Sequence, residues 1–193
     1  MGRHREFDTD QALGRALQVF WQKGYEGASL SDLTEAMGIT RPSLYAAYGN
    51  KEELFRKALD RYERSYFQFF ECALSAPTVR TVVERLLLGF VEAATQESCP
   101  AGCLGVNSVT ACGDEAQAVR AEVVERRRRS EARLAERLHA ARDAGDLPPD
   151  RDPEALARYV MTVALGIAVQ AGAGAGRDAL RQVAADAVAT LPG

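Results

Sequence analysis

Residues Ser29 to Lys51 read SLSDLTEAMGITRPSLYAAYGNK. This spacing predicts two short amphipathic helices that meet at Gly38. Ser29 is placed to cap the first, with Asp32 three residues on, a pairing that satisfies free N–H groups and suits the positive end of the helix dipole. Its apolar side is Leu30, Leu33, Ala36 and Met37. Gly38 lets the chain turn through backbone conformations that a Cβ penalises. The next helix restarts within three residues and carries Pro42 in its first turn, where a missing N–H costs nothing. Leu44 and Tyr48 face inward, and Gly49-Asn50 ends the helix. The pattern is a helix-turn-helix whose second helix protrudes, able to enter a DNA major groove.

The outward residues suit that task. Thr40, Arg41, Ser43 and Tyr45 lie at or near the N-terminal end of the second helix. An arginine there can take a guanine edge in a bidentate contact. Ser43 and Thr40 offer hydroxyls to phosphates or bases, and Tyr45 offers a hydroxyl and a ring. Ala46 and Ala47 are small enough to let the helix sit deep. Lys51 opens the following helix, where its ammonium and the free backbone N–H groups can both hold a phosphate. Arg3, His4 and Arg5 form a basic arm able to reach backbone or minor groove. Bulk charge adds nothing to this reading, since residues 1–62 hold nine Lys/Arg and nine Asp/Glu. A helix pair with this spacing also arises as plain packing, so spacing alone leaves the DNA role and a structural one both open.

Outward from this core the chain reads as helix throughout. Asp8 caps a first helix carrying Leu13, Ala16, Leu17, Phe20 and Trp21 that stops at Gly24. Asn50 caps a long helix expected over 51–73, with Leu54, Phe55, Ala58, Leu59, Tyr62, Tyr66, Phe67 and Phe70. Further helices are expected over about 78–97, 114–144, 153–171 and 177–191, with a partly helical Cys/Gly-rich stretch at 98–113. The class is all-α, with about nine helices.

Composition removes several alternatives. The chain has 193 residues, 47% of them hydrophobic, and a net charge of -3. That suits a folded domain or two rather than a disordered chain. No apolar run approaches the roughly 20 residues of a membrane span, and Met1–Glu6 does not begin a signal peptide. A cytoplasmic location with reduced thiols follows. Gly-x-Ser-x-Gly and His-Glu-x-x-His are absent, and the two histidines, His4 and His139, lie far apart, so neither an enzyme nor a cofactor is expected. The Gly172–Gly176 run follows no strand and is not a dinucleotide loop.

The stretch resembles the tetracycline-repressor family of regulators over about residues 8–62. The resemblance rests on Phe20, Gly24-Tyr25, Ser29-Leu30, Leu33, Gly38-Ile39, Ser43-Leu44-Tyr45, Tyr48 and Lys51-Glu52-Glu53-Leu54-Phe55. The family commonly has Phe where Tyr48 stands, which makes Tyr48 mainly structural with its hydroxyl near the DNA side. The resemblance implies a DNA-facing set of Ser31, Thr34, Thr40, Arg41, Ser43, Tyr45, Tyr48 and Lys51, joined by Arg3 and Arg5. It also implies a homodimer on palindromic double-stranded operator DNA and a small-molecule effector of unknown identity. The chain then divides into a helix-turn-helix domain, 1–50, and a ligand-binding and dimerisation domain, 51–193, entered through the connecting helix 51–73. A repressor is favoured, because a dimer over a promoter blocks polymerase unaided.

In the second half, Leu156, Tyr159 and Val163 with Leu180, Val183, Ala187 and Leu191 form stripes that would make a dimer face; plain internal core is the other reading. Phe67, Phe70, Phe90, Cys103, Asn107, Tyr159 and Met161 are candidates to line a ligand pocket, and each also reads as core. Cys99 and Cys103, with Cys112 nearby, admit three readings: packing, a thiol switch, or a metal site lacking histidines at ligand spacing. The first is favoured, and no metal is expected. A redox-responsive regulator using Cys99 and Cys103, or a helical adaptor without DNA binding, are the alternatives. Arg126–Arg129 reads as a solvated helix face, with Glu122 pairing Arg126, Glu125 pairing Arg129 and Glu131 opposite Arg127.

Overall fold

The structure, a computed structural model, describes residues 7–109 and 116–191. Among them are ten helices and no strand: α1 (Thr9–Gly27), α2 (Leu30–Met37), α3 (Arg41–Tyr48), α4 (Lys51–Tyr66), α5 (Gln68–Leu74), α6 (Val79–Ala94), α7 (Leu104–Val109), α8 (Gln117–Asp143), α9 (Pro153–Gly172) and α10 (Arg177–Ala189).

The caps follow local chemistry. Asp8 accepts from the Gln11 amide at 3.0 Å. Ser29 and Asp32 form a reciprocal box, Asp32 N–H to Ser29 Oγ at 3.0 Å and Ser29 N–H to Asp32 Oδ2 at 2.9 Å. Such a cap is worth about 1 kcal/mol. Lys23 on α1 reaches the same carboxylate at 2.7 Å. These contacts, the Lys23 bond first and then those from Ser29, hold the Asp32 carboxyl down at about 2. Asn50 and Glu53 repeat the box at the start of α4.

Two departures from the expected helices have physical causes. The helix expected over 51–73 breaks at Phe67, which takes φ -110 and ψ 10. Residues two apart on a continuous helix point some 200° away from each other. Yet Phe67 and Phe69 both pack on Phe90, with ring centroids 5.3 and 5.2 Å away. The break lets both rings reach it. The side chain of Phe69 also lies where a Cβ on Gly89 would stand, 2.1 Å from it. At the other departure, Gly24 interrupts α1 but does not end it: φ 69 and ψ 176 produce a kink, and the helix resumes to Gly27.

Two apolar clusters result. The first gathers α1 to α4 around Leu17, Phe20, Trp21, Leu33, Leu44, Leu54 and Phe55, and continues into Leu104, Val119 and Val123. Trp21 meets the edges of Tyr62 and Tyr66 at 4.8 and 5.0 Å. The second cluster joins α5, α6, α8, α9 and α10. Each fully buried large side chain contributes about 1.5–3 kcal/mol. Contrary to the expectation of no membrane-length apolar run, α9 is long and apolar enough by length and composition to cross a bilayer. Its Ala157, Val160, Met161, Ala164, Ile167, Ala168 and Ala171 are buried against the rest of the chain.

Candidate nucleic-acid interface and ligand cavity

Gly38 sits in the left-handed region at φ 68 and ψ 32, and the Ile39 amide bonds back to the Thr34 carbonyl at 3.1 Å, which reverses the chain between α2 and α3. Thr40 then caps α3: its hydroxyl lies 2.9 Å from that of Ser43 and accepts from the Ser43 amide at 3.4 Å. Leu33, Met37, Leu44 and Tyr48 are buried. That anchoring turns Ser31, Thr40, Arg41 and Tyr45 outward on one surface, Tyr45 with 49% of its area exposed. Arg41 donates to Ser31 Oγ at 2.9 Å and has no carboxylate partner among the described residues. Thr34 is half-buried, its hydroxyl donating to the Leu30 carbonyl at 2.9 Å.

Lys51 lies over the Tyr25 ring, 4.6 Å from its centroid, and burial pushes its ammonium below the usual lysine range. It is held at the start of α4 rather than free in solvent. Tyr48 departs from the expected DNA-facing set. It is buried, and its hydroxyl donates to the Thr9 carbonyl at 2.6 Å, so the extra oxygen relative to Phe ties α3 to α1. Arg3 and Arg5 lie outside the described residues. A cation not foreseen from sequence, Lys57, donates to the Tyr48 carbonyl at 3.1 Å beside the exposed end of α3. Its position one helix later hid it.

Behind this head lies a cavity of about 570 Å³, walled by α4, α5, α6, α8 and α9 with the residues entering α7. It brings together Phe67, Phe70, Phe90, Cys103 and Met161 of the expected set, and adds Leu59, Tyr62, Val123 and Leu165. Burial pushes the Tyr62 hydroxyl well above the usual tyrosine range. Asn107 and Tyr159 are not on this cavity. Asn107 donates through Nδ2 to the Trp21 carbonyl at 3.0 Å, bracing the α1 kink against α7. Tyr159 is 42% exposed on the outer side of α9.

The cavity wall on α8 also corrects the reading of Arg126–Arg129. Arg126 does pair with Glu122 at 2.7 Å, but it also grips Asp60 at 2.6 Å and Glu63 at 2.7 Å, clasping α8 to α4. Arg129 pairs with Glu125 at 3.6 Å. Glu131 does not meet Arg127; it pairs with Arg158 on α9 at 3.5 Å. Arg127 turns to the cavity instead.

Cys99 Sγ donates to the Tyr66 hydroxyl at 3.2 Å, a contact that with burial raises that phenol to about 12. Cys103 is buried, and Cys112 lies outside the described residues. Among the described residues no three His, Cys, Asp or Glu side chains converge as metal ligands. His139 is paired with Glu154 at 2.7 Å, which holds that carboxyl down at about 2.

The expected dimer stripes split in two. Leu180, Ala187 and Leu191 are buried within this protomer's own core, packed towards α6 and α9. Val183 and Tyr159 are exposed, and Leu156 and Val163 are half-buried. Val169 is exposed too, but it lies on another side of α9, beside Trp21, Pro100 and Asn107. A stripe read as one face thus spans the core and the surface of α10.

Comparison with known proteins gives consistent matches. The model of the bacterial regulatory proteins of the tetR family matches residues 12–58, and that of the tetracyclin repressor-like C-terminal domain matches residues 80–190. The HTH-type transcriptional repressor ComR of Escherichia coli (strain K12) is 33% identical over 193 residues, covering 99% of this chain and 92% of ComR. The HTH-type transcriptional regulator YezE of Bacillus subtilis (strain 168) is 33% identical, with 94% of each chain covered. The TetR family transcriptional regulator CifR, solved as a cysteine mutant complexed with 26-bp double-strand operator DNA, is 42% identical, with a TM-score of 0.93 over 98% of this chain and 100% of that one.

Proposed function

The chain belongs to the tetR family of bacterial regulatory proteins, and from that premise we propose that it is a ligand-responsive repressor that binds a palindromic operator as a homodimer. The observation that carries this is the outer face of α3. Among the described residues no carboxylate neutralises Arg41, and beside it stand a half-exposed Tyr45 and the Thr40 and Ser43 hydroxyls, on a helix held out by its own buried side. A relative with 42% identity has been captured on operator DNA. Arg41 would read a base edge in the major groove, while Lys51 and the start of α4 would hold phosphate.

The exposed apolar side chains Tyr159 on α9 and Val183 on α10 support dimerisation through these helices. Two copies would set the α3 helices about 34–36 Å apart, one duplex turn. We divide the chain at residues 50 and 51, with α4 as the connecting element. It begins at Lys51 beside DNA and lines the cavity through Leu59 and Tyr62. A molecule bound better by one α4 position than another shifts the spacing of the recognition helices and so the operator affinity. Its relatives are regulators rather than enzymes, and a cytoplasmic setting fits a protein that must reach chromosomal DNA.

The test is selection of bound duplexes from a random pool. Enrichment of a palindrome supports the reading; failure to enrich any sequence at low salt leaves a helical adaptor as the better account. A second reading is a thiol switch, favoured by the contact of Cys99 with Tyr66 at the end of α4. Loss of binding with oxidant, reversed by reductant and absent in Cys99→Ser, would establish it.

A further inference from the structure

Most charges that line the cavity neutralise one another. Glu63 is paired with Arg126 at 2.7 Å, and Glu71 with Arg133. Arg64 has no ion pair among the described residues but is exposed to solvent, whereas Arg127 is half-buried. No carboxylate among the described residues pairs with it, and its Nη2 is fully buried without a hydrogen-bond partner. The neighbouring Cys103 sulfur is at most a weak acceptor. A guanidinium cannot escape burial by losing its proton. Arg127 as a whole is half-buried, so leaving its charge unpaired carries part of the cost of a desolvated ion. The cavity's apolar wall is formed by Leu59, Phe67, Phe70, Phe90, Met161 and Leu165, and its polar side also carries Arg64, Gln68 and Ser130. The cavity volume of about 570 Å³ falls within the roughly 300–1,000 Å³ usual for small-molecule sites and far exceeds one inorganic anion.

Resting on the reading of this cavity as the effector site, we infer that the effector is an organic anion, a carboxylate or close equivalent on an apolar body, with its charged group bound by Arg127. An anion in the cavity would meet the half-buried guanidinium with paired acceptors, in the fork geometry suited to it. The apolar body replaces water against the phenylalanines. A neutral molecule of the same shape would fill the space yet leave the half-buried cation unpaired.

Matched acids and amides test this on the full-length chain: decanoate against decanamide, and 3-phenylpropionate against 3-phenylpropionamide, by calorimetry and thermal unfolding. The acids are expected to bind and raise Tm, the amides to bind much more weakly, and acetate not to register. Arg127→Met, which keeps a long flexible side chain without the charge, should weaken acid binding by about tenfold to a hundredfold while folding as well as the parent. Arg127→Lys should retain part of the preference, since the charge stays but the fork is lost. Amides that bind as tightly as acids would overturn the inference, as would Arg127→Met with undiminished acid binding or a parent that binds no acid. Operator selection separates the two levels. A parent that enriches a palindrome but binds no acid keeps the regulator reading and loses the anion. Acid binding through Arg127 without sequence enrichment does the reverse.

Discussion

Replacing Gly24 with alanine should damage the join between the DNA-binding head and the body, and the structure sets the size of the effect. Gly24 sits at φ 69 and ψ 176, a region almost reserved for glycine, where another residue costs about 1–3 kcal/mol. A Cβ there would also stand 2.8 Å from the Asn107 carbonyl oxygen and 3.6 Å from its carbon. That neighbour is backbone in α7 and cannot swing aside, so α1 and α7 must separate, at an overpacking cost of about 1–3 kcal/mol. The two effects together predict a loss of about 2–6 kcal/mol. Gly27→Ala is the control. A Cβ at Gly27 meets only Lys23 Cβ at 3.5 Å, an ordinary contact, and its backbone φ is not positive. It should lie within about 1 kcal/mol of the parent. Urea unfolding followed by circular dichroism, at one protein concentration because self-association would add to stability, measures both. If the two variants agree to within about 0.5 kcal/mol, the level of an unremarkable substitution, then neither the kink nor its contact with α7 holds the junction.

Other consequences can be measured directly. Arg41→Ala should cost about 1–3 kcal/mol at the selected operator and relax preference at one base pair; equal losses on selected and random duplexes would contradict its role. Lys51→Ala should weaken every duplex alike and lower the salt dependence by about one ion, and a base-specific loss would count against it. Val183→Glu or Tyr159→Glu should shift the dimer towards monomer in sedimentation, whereas Leu180→Ala should lower stability by about 2–5 kcal/mol through the protomer core; a dimer indifferent to both exposed changes would rule out this face. Asp32 has its carboxyl lowered from 3.8 to about 2 by Lys23 and Ser29. Its stabilisation therefore belongs to the charged form, is complete above pH 4 and is lost as pH falls towards 2. Asp32→Asn should be less stable than the parent at pH 6, with the gap closing by pH 2; a gap independent of pH would refute the linkage.

The head was legible because its signals are local. A capping pair such as Ser29 and Asp32, a left-handed Gly38 and the inward spacing of Leu33, Leu44 and Tyr48 each act within a few residues, where sequence distance and spatial distance agree. Tyr48 was misjudged through its hydroxyl, because the acceptor that takes it, the Thr9 carbonyl, is 39 residues away. The same limit explains Asn107, whose partner on Trp21 is 86 residues away, and the break at Phe67, which is set by a ring on α6.

The arginine run on α8 shows why the cavity was harder to see than the head. Successive helical residues point about 100° apart, so a run of four spans nearly the full turn. Reading Arg126 to Arg129 as one solvated face treated them as equivalent. The i,i+4 rule correctly pairs Glu122 with Arg126 and Glu125 with Arg129, because both members of each pair ride on one helix. It fails for Arg127, because Glu131 is taken by Arg158 across the α8–α9 contact. Arg126 meets α4, Arg127 meets the cavity and Arg128 meets solvent. Charge on almost every side of the helix erases the apolar stripe that would otherwise orient it, so rotation about its axis is decided by packing partners far along the chain. An arginine that such packing leaves facing apolar walls has lost the local partner its sequence offers, and that loss is what makes the cavity selective for an anion.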